Sequence, residues 1–128
     1  MVLDSSALIS ILLAERGYES LLEKAGRAEA VFVGAPTALE TSMFLSARFR
    51  RDARPMLSGV LRRMNAEIID FSEDHYEAAL SAFLRFGKGR HPAALTFGDC
   101  MSYALASVSG LPLLYAGTDF SRTDIPSA

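Results

Sequence analysis

The stretch Met1-Val2-Leu3-Asp4-Ser5-Ser6-Ala7-Leu8 joins a short apolar run to an acid and then to a helical pattern. Such a run reads as a buried strand that ends in a carboxylate. Residues 6–14 read as a helix, with Ser5 or Ser6 as its cap. A strand that passes straight into a helix opens a β-α unit, and the rest of the chain repeats the alternation. Ala30-Val31-Phe32-Val33-Gly34 is β-branched and aromatic and reads as a second strand. Glu67-Ile68-Ile69-Asp70-Phe71 reads as a third, and residues 111–115 as a fourth. The segments between them read as helices. One covers residues 17–25 and stops near Gly26. The next runs from Pro36 to about residue 51, with Leu39, Met43 and Phe44 spaced for one face, and another covers residues 54–64. Ser72 caps a helix that ends near Phe86, and residues 96–109 form the last, closed by Gly110. The order β-α-α-β-α-α-β-α-α-β predicts a parallel sheet covered by helices on both faces.

Composition narrows the function classes. The 128 residues are 50% hydrophobic and 22% charged, which suits one domain over residues 1–128 with a real core and excludes a disordered or low-complexity chain. No repeat or linker divides it. A single cysteine, Cys100, allows no internal disulfide and suits a reducing compartment. The apolar run over residues 7–14 is far short of the ~20 residues of a membrane span. No basic residue precedes Arg16, so the positive start of a secretory signal is missing. A soluble cytoplasmic protein with no membrane partner is expected.

The net charge of −2 hides a local pattern. Residues 48–63 carry +5, residues 64–84 carry −5 and residues 85–91 carry +3. Eleven of the thirteen basic residues are arginine, whose planar fork suits phosphate. The candidates for a polyanion contact are Arg50, Arg51 and Arg54 in the first basic block and Lys88 and Arg90 in the second. A solvated helix face explains such a run equally well.

In open parallel sheets ligands sit beyond the carboxyl ends of the strands. Four acids map there: Asp4 ends the first strand, Glu40 lies early in the helix after the second, Asp99 opens the last helix, and Asp119 follows the fourth strand. Each also has a plain structural role open to it. Asp4 suits a helix cap, and Thr37-Ala38-Leu39-Glu40 and Thr96-Phe97-Gly98-Asp99 both match a capping box. Asp119 suits a turn. Against these roles, an unpaired carboxylate ending an apolar strand is expensive to bury, and packed carboxylates repel. A divalent cation resolves that cost, and an all-oxygen set points to Mg²⁺ or Mn²⁺. Zinc is disfavoured, with His75 on an expected solvent-facing helix and His91 in a basic loop. Cys100 and most of the Phe and Tyr residues read as core packing. Gly87-Lys88-Gly89-Arg90 is too short for a phosphate-binding loop.

Residues 1–8, Ala35-Pro36-Thr37-Ala38-Leu39-Glu40, Phe97-Gly98-Asp99-Cys100 and Leu113-Leu114-Tyr115-Ala116-Gly117-Thr118-Asp119-Phe120 together resemble the PIN-domain ribonucleases of the VapC toxin type, from end to end of the chain. The resemblance implies a three-layer α/β/α fold around a central parallel sheet of four to five strands. It implies a Mg²⁺-dependent endoribonuclease, with Mn²⁺ able to substitute, that is the toxin of a type II toxin–antitoxin pair. It implies a VapB-type antitoxin, an RNA substrate and a homodimer. The family's acidic quartet falls on Asp4, Glu40, Asp99 and Asp119, with Asp4 and Asp99 carrying most of the metal binding. Thr96 and Thr118 depart mildly, standing where many relatives carry Asn, or Asn or Asp. Two rivals also fit an acidic edge. One is a Mg²⁺-dependent phosphatase, which needs a lysine near its nucleophilic Asp. The other is a catalytically inactive protein-binding module.

Overall fold

The computed structural model describes residues 1–128, and its sheet is built outward from the N-terminal run. Strand β1 (Val2–Leu3) lies between β2 (Val31–Gly34) and β4 (Leu113–Leu114), and β3 (Ala66–Ile69) pairs with the far side of β2. All pairs are parallel, with Val2 opposite Phe32 and Leu113, and Val31 opposite Ala66. The strand order is therefore β3-β2-β1-β4. The chain steps outward on one side of β1 and then crosses to the other. That reversal leaves a crevice at the carboxyl end of β1, where open α/β sheets receive ligands.

The helices come in pairs: α1 (Ser5–Leu12) with α2 (Tyr18–Arg27), α3 (Ala35–Phe49) with α4 (Arg54–Arg63), and α5 (Glu73–Phe86) with α6 (Phe97–Ser109). A short 3₁₀ helix, Asp119–Arg122, follows β4. Strand alternation divides the core into two layers. Val2 and Leu113 point into a cluster with Ala82, Phe86 and Tyr103 of α5 and α6. Leu3, Val31, Val33 and Leu114 point the other way, against Leu8 of α1, Ala25 of α2 and Leu57 and Leu61 of α4. Helix α3 touches both α1 and α6. Val2, Leu3, Leu8, Leu113 and Leu114 are almost wholly sequestered. Each such side chain contributes roughly 1.5–3 kcal/mol of transfer free energy.

The three-layer α/β/α architecture agrees with the expectation, and several local readings change. The fifth strand is reduced to one bridge between Leu113 and Ser127. The edge strand β3 is not covered on both faces, since Glu67 and Ile68 are exposed. Helix α2 runs through Gly26 and ends at Arg27. A solvent-exposed glycine costs a helix only about 1 kcal/mol, too little to stop one that is anchored by Ala25. The α1 cap is Asp4 rather than Ser5 or Ser6. Helix α3 starts at Ala35, so Thr37 and Glu40 already lie inside it and form no capping box. The stripe of Leu39, Met43 and Phe44 on α3 faces out, while Ala38, Thr41 and Leu45 face in. The packing role assigned to most aromatics fails for Phe44, Phe49, Phe71, Tyr76, Phe83 and Phe97, which are exposed. His75 is buried rather than solvent-facing. Its Nδ1 accepts the Ser72 backbone N–H at 2.9 Å and completes the α5 cap.

Candidate active site

Asp4 leaves β1 with its N–H donating to the Leu114 carbonyl at 2.9 Å. Its side chain then turns onto the first turn of α1. Oδ2 accepts the Ser6 N–H at 3.0 Å and the Ser6 hydroxyl at 2.5 Å. The capping role and the buried carboxylate are thus the same residue. Oδ1 is buried and makes no hydrogen bond of ordinary geometry, although the Ser102 hydroxyl nearby eases the charge of the carboxylate. Burial pushes the Asp4 carboxyl above its ordinary value, the hydroxyls of Ser102 and Ser6 pull it back, and the charge on Glu40 pushes it up further. An unpartnered carboxylate oxygen in an apolar interior carries the full cost of its lost hydration.

Asp99 is the third residue of α6 and completes the predicted capping box with Thr96. The Thr96 N–H donates to Asp99 Oδ2 at 2.9 Å, and the Asp99 N–H donates to Thr96 Oγ1 at 3.4 Å. Burial raises its pKa, and the charges of Asp4 and Asp119 add to the rise. Glu40, in the second turn of α3, is half-buried and lies against the start of α6. A Cβ added to Gly98 would overlap the Glu40 carboxylate, so the missing side chain makes that approach possible. Asp119 opens the 3₁₀ helix and is exposed, with Phe120 buried beneath it as the anchor. Ser6 couples the two ends of the site. Its oxygen also accepts the Ala116 N–H at 3.0 Å, tying the cap on Asp4 to the segment that delivers Asp119.

The four acids expected from the sequence therefore interact as one electrostatic group, Asp4 with Glu40 and Asp99 with Asp4 and Asp119. No three Asp, Glu, His or Cys side chains gather into a ready-made metal cage. The donor set nevertheless fits a hard divalent cation. It is all oxygen, it is mutually repulsive, and it includes the unpartnered Asp4 Oδ1. Mg²⁺ is typically held by one or two carboxylates plus water and substrate phosphate rather than by an all-protein cage.

Asp124 stands apart from this group. It accepts the Tyr103 hydroxyl at 2.7 Å and pairs with Arg85 at 2.9 Å, and these partners hold its carboxyl below the usual range against the opposing effect of burial. Burial and this hydrogen bond raise the Tyr103 phenol to about 12. The two basic blocks differ in placement. Arg50 caps the far end of α3, about 15 Å along the helix axis from Glu40. Arg51 lies over the Phe49 ring, and Arg54 is engaged by Asp52 at 2.7 Å. Lys88 and Arg90 lie in the loop that runs back to α6. The Lys88 N–H donates to the Leu95 carbonyl at 3.0 Å, next to the Thr96–Asp99 cap. Lys24 donates to the Ala128 carbonyl at 2.8 Å, which places it away from the acids and leaves a phosphatase without that lysine. The largest grooves, of about 530 and 550 Å³, lie along α4 and do not include the acids.

Sequence reasoning missed Ser6, Gly98, Thr37 and Ser102. Thr37 and Ser102 are both buried, and their hydroxyls meet at 3.2 Å between α3 and α6 behind the acids. The available signal was small polar residues within one turn of each acid.

Comparison with known proteins bears on the family and the fold. The model of the PIN domain family matches residues 1–126. Ribonuclease VapC36 of Mycobacterium tuberculosis is 39% identical over 126 residues, covering 98% of this chain and 91% of that protein. Ribonuclease VapC of Mycolicibacterium smegmatis is 42% identical, covering 98% and 97%. Among solved structures, VapC20 of M. tuberculosis, described as a sarcin-ricin loop cleaving toxin, superposes with a TM-score of 0.74 at 17% identity, over 99% of this chain and 97% of that one. VapBC2 from Rickettsia felis, bound to a DNA fragment from its promoter, gives 0.77 at 16% identity, over 98% and 94%. At these identities the structural likeness speaks for the fold alone.

Proposed function

The chain belongs to the PIN-domain family, among the VapC proteins, and from that premise we propose that it is a Mg²⁺-dependent endoribonuclease acting as the toxin of a toxin–antitoxin pair. The observation that carries the reading is the buried Asp4 carboxylate, with Oδ1 free of hydrogen bonds, coupled in charge to Glu40 and Asp99, and through Asp99 to Asp119, at the reversal of strand order. Asp4 and Asp99 would hold the cation. When bound, Mg²⁺ stabilises charge on the scissile phosphate and acidifies water, and Mn²⁺ can do the same. The chain's own residues set the geometry. Ser6 and Thr96 fix the Oδ2 atoms of Asp4 and Asp99 by hydrogen bonds, and Oδ1 of Asp4 is left without one for a cation to satisfy. Glu40, with no hydrogen bond to hold it, orients the attacking water and accepts its proton. Asp119 is mounted on the exposed 3₁₀ helix and would help to hold a second cation there.

Lys88 and Arg90 lie nearest the α6 end of the site and hold the flanking RNA phosphates, with Arg50, Arg51 and Arg54 meeting the strand farther away. The exposed stripe of Leu39, Met43 and Phe44 on α3 supports a homodimer, and the apolar groove among α1, α2 and α4 supports an antitoxin partner. No helix is long and apolar enough to cross a membrane.

The test is sequencing of RNA 5′ ends after brief induction in cells, comparing the wild type with Asp4→Ala. New, sharply positioned ends in the wild type alone are expected. Identical end maps with both proteins folded and free of antitoxin would refute the nuclease reading in that host.

A further inference from the structure

Two buried hydroxyls behind the acids make no hydrogen bond to the backbone of their own helices. Thr37 lies one turn before Glu40 on α3, and Ser102 lies one turn after Asp99 on α6. Both are almost wholly sequestered. A serine or threonine inside a helix commonly bonds back to a carbonyl about one turn earlier. The Thr41 hydroxyl does so, donating to the Thr37 carbonyl at 2.8 Å, and the Ser109 hydroxyl donates to the Leu105 carbonyl at 2.6 Å. Thr37 and Ser102 do not. The one hydrogen bond of each hydroxyl is to the other, at 3.2 Å.

Proton counting gives this pair a direction. Each hydroxyl carries one proton. If Ser102 donates to Thr37, the Thr37 proton is buried without an acceptor, and Asp4 Oδ1 is buried without a donor. If Thr37 donates to Ser102, the Ser102 proton is free for the carboxylate and both costs fall. Ser102 stands close enough to serve. Burial raises the Asp4 carboxyl, and the Ser102 hydroxyl is the strongest influence drawing it back, ahead of Ser6. Its approach stops short of an ordinary hydrogen bond, so the hydroxyl dipole steadies Oδ1 without closing it to another partner.

We propose that Ser102, its proton directed by Thr37, is a positioning residue for the divalent cation, steadying the ionised Asp4 carboxylate and presenting Oδ1 for coordination. The inference rests on the nuclease reading above and adds to it the residues that set the metal's affinity. Ser6 holds Oδ2 from α1, and Ser102 acts on Oδ1 from α6, so two elements grip one carboxylate. One turn of α6 thereby carries both Asp99 and the group that sets Asp4. Partners of this kind, one shell out from the metal, commonly govern affinity by roughly ten- to a hundred-fold.

The experiment titrates the full chain, free of antitoxin, with Mn²⁺ at neutral pH and follows the loss of the free-ion electron paramagnetic resonance signal. Ser102→Ala should weaken Mn²⁺ binding by roughly ten- to a hundred-fold. Thr37→Val keeps the side-chain shape and removes only the hydroxyl. It should weaken binding less, because Ser102 then keeps its proton and loses only its direction. The double variant should bind no more weakly than Ser102→Ala alone, since Thr37 acts through Ser102. Thr41→Val deletes an equally buried hydroxyl of α3 that serves only its own helix, and it should bind Mn²⁺ as the wild type does. Wild-type affinity in Ser102→Ala, or an equal loss in Thr41→Val, would overturn the inference and leave the nuclease reading standing. Should Ser102→Ala fail to fold, Thr37→Val decides, and wild-type affinity there would overturn it. Wild-type protein that takes up no Mn²⁺ would remove both this inference and the metal-dependent reading.

Discussion

Gly98→Ala should separate stability from activity, because Gly98 serves the site through the side chain it lacks. Its φ lies outside the left-handed region, so alanine meets no backbone strain. Replacing a helical glycine by alanine stabilises by about 0.5–1 kcal/mol. For a domain of this size that is a rise in Tm of roughly 2–5 °C. The new Cβ would overlap Glu40 Oε2 outright and stand 2.6 Å from Cδ and 2.8 Å from Oε1. Carbon contacts settle near 3.5–4.0 Å, so the carboxylate must retreat by at least about 1 Å. It sits at the far end of a flexible side chain, and the retreat costs little folding energy. A misplacement of about 1 Å in a catalytic group can nevertheless lower the rate on the order of 100-fold. The assay pairs thermal unfolding with RNA cleavage under single-turnover conditions for wild type, Gly98→Ala, Glu40→Gln and the double variant. The loss should run through Glu40, so the double variant should cleave no more slowly than Glu40→Gln alone. Gly98→Ala with cleavage within twofold of wild type, or losses that simply add in the double variant, would refute the role given to Glu40.

Three other predictions follow from the charges. Asp4 and Asp99 have raised pKa values in the fold, so the folded state binds more protons, and metal-free stability should fall as pH rises from about 4 through their folded pKa values. Chelated Asp4→Asn should therefore gain Tm at pH 7 over chelated wild type, and Mn²⁺ at a hundred times its Kd should stabilise only the wild type, by about 2.7 kcal/mol; a metal-free Tm that climbs with pH through the acid range, or equal stabilisation of both proteins by Mn²⁺, counts against the site. Asp124→Asn should bring the Tyr103 phenol down from about 12, seen as an earlier step in ultraviolet titration, because the carboxylate that accepts its proton is gone while its burial remains; a Tyr103 step left at its wild-type pH would show that burial alone sets it. Lys88→Ala with Arg90→Ala should lower the salt dependence of RNA binding by about 1.4, or roughly 0.7 per phosphate contact on a single strand; Arg50→Ala with Arg51→Ala should do less, and the reverse order would move the RNA path to the far end of α3.

The alternation of strands and helices was legible because each strand is a short apolar run bounded by an acid, a glycine or a turn, with no competing period. Burial direction was harder to read. Leu39, Met43 and Phe44 share a helical face, but periodicity says only that a face exists and not whether the protein's own core or solvent meets it. The same limit applies to Phe97 and Phe83. Gly26 was read as a stop because its helix-breaking cost was considered without the packing of Ala25 beside it. His75 is expected on a solvent face because an imidazole is rarely considered as a reciprocal cap. Within the site, Asp4 and Asp99 stood out as acids at a strand end and a helix start, and the capping role open to each proved compatible with a place in the charged group. Ser6 and Gly98 were illegible for a different reason. Their contributions are an oxygen shared between Asp4 and Ala116 and an absence of atoms beneath Glu40, and both depend on segments distant in sequence.

The placement of β1 between β2 and β4 also orders events in time. The strand bearing Asp4 is synthesised first, yet one of its two sheet neighbours and the residues Asp99 and Asp119 come from the last third of the chain. No early intermediate can hold the complete acidic group, because the pairing that closes it is among the longest-range contacts in the molecule. Contacts of that span are slow to form, so a nascent chain passes through synthesis without a working centre. On the proposed function, a nuclease built in this order would leave the RNA being translated uncut until its polypeptide is nearly finished, and that interval would give an inhibitor time to meet the chain as it completes its fold.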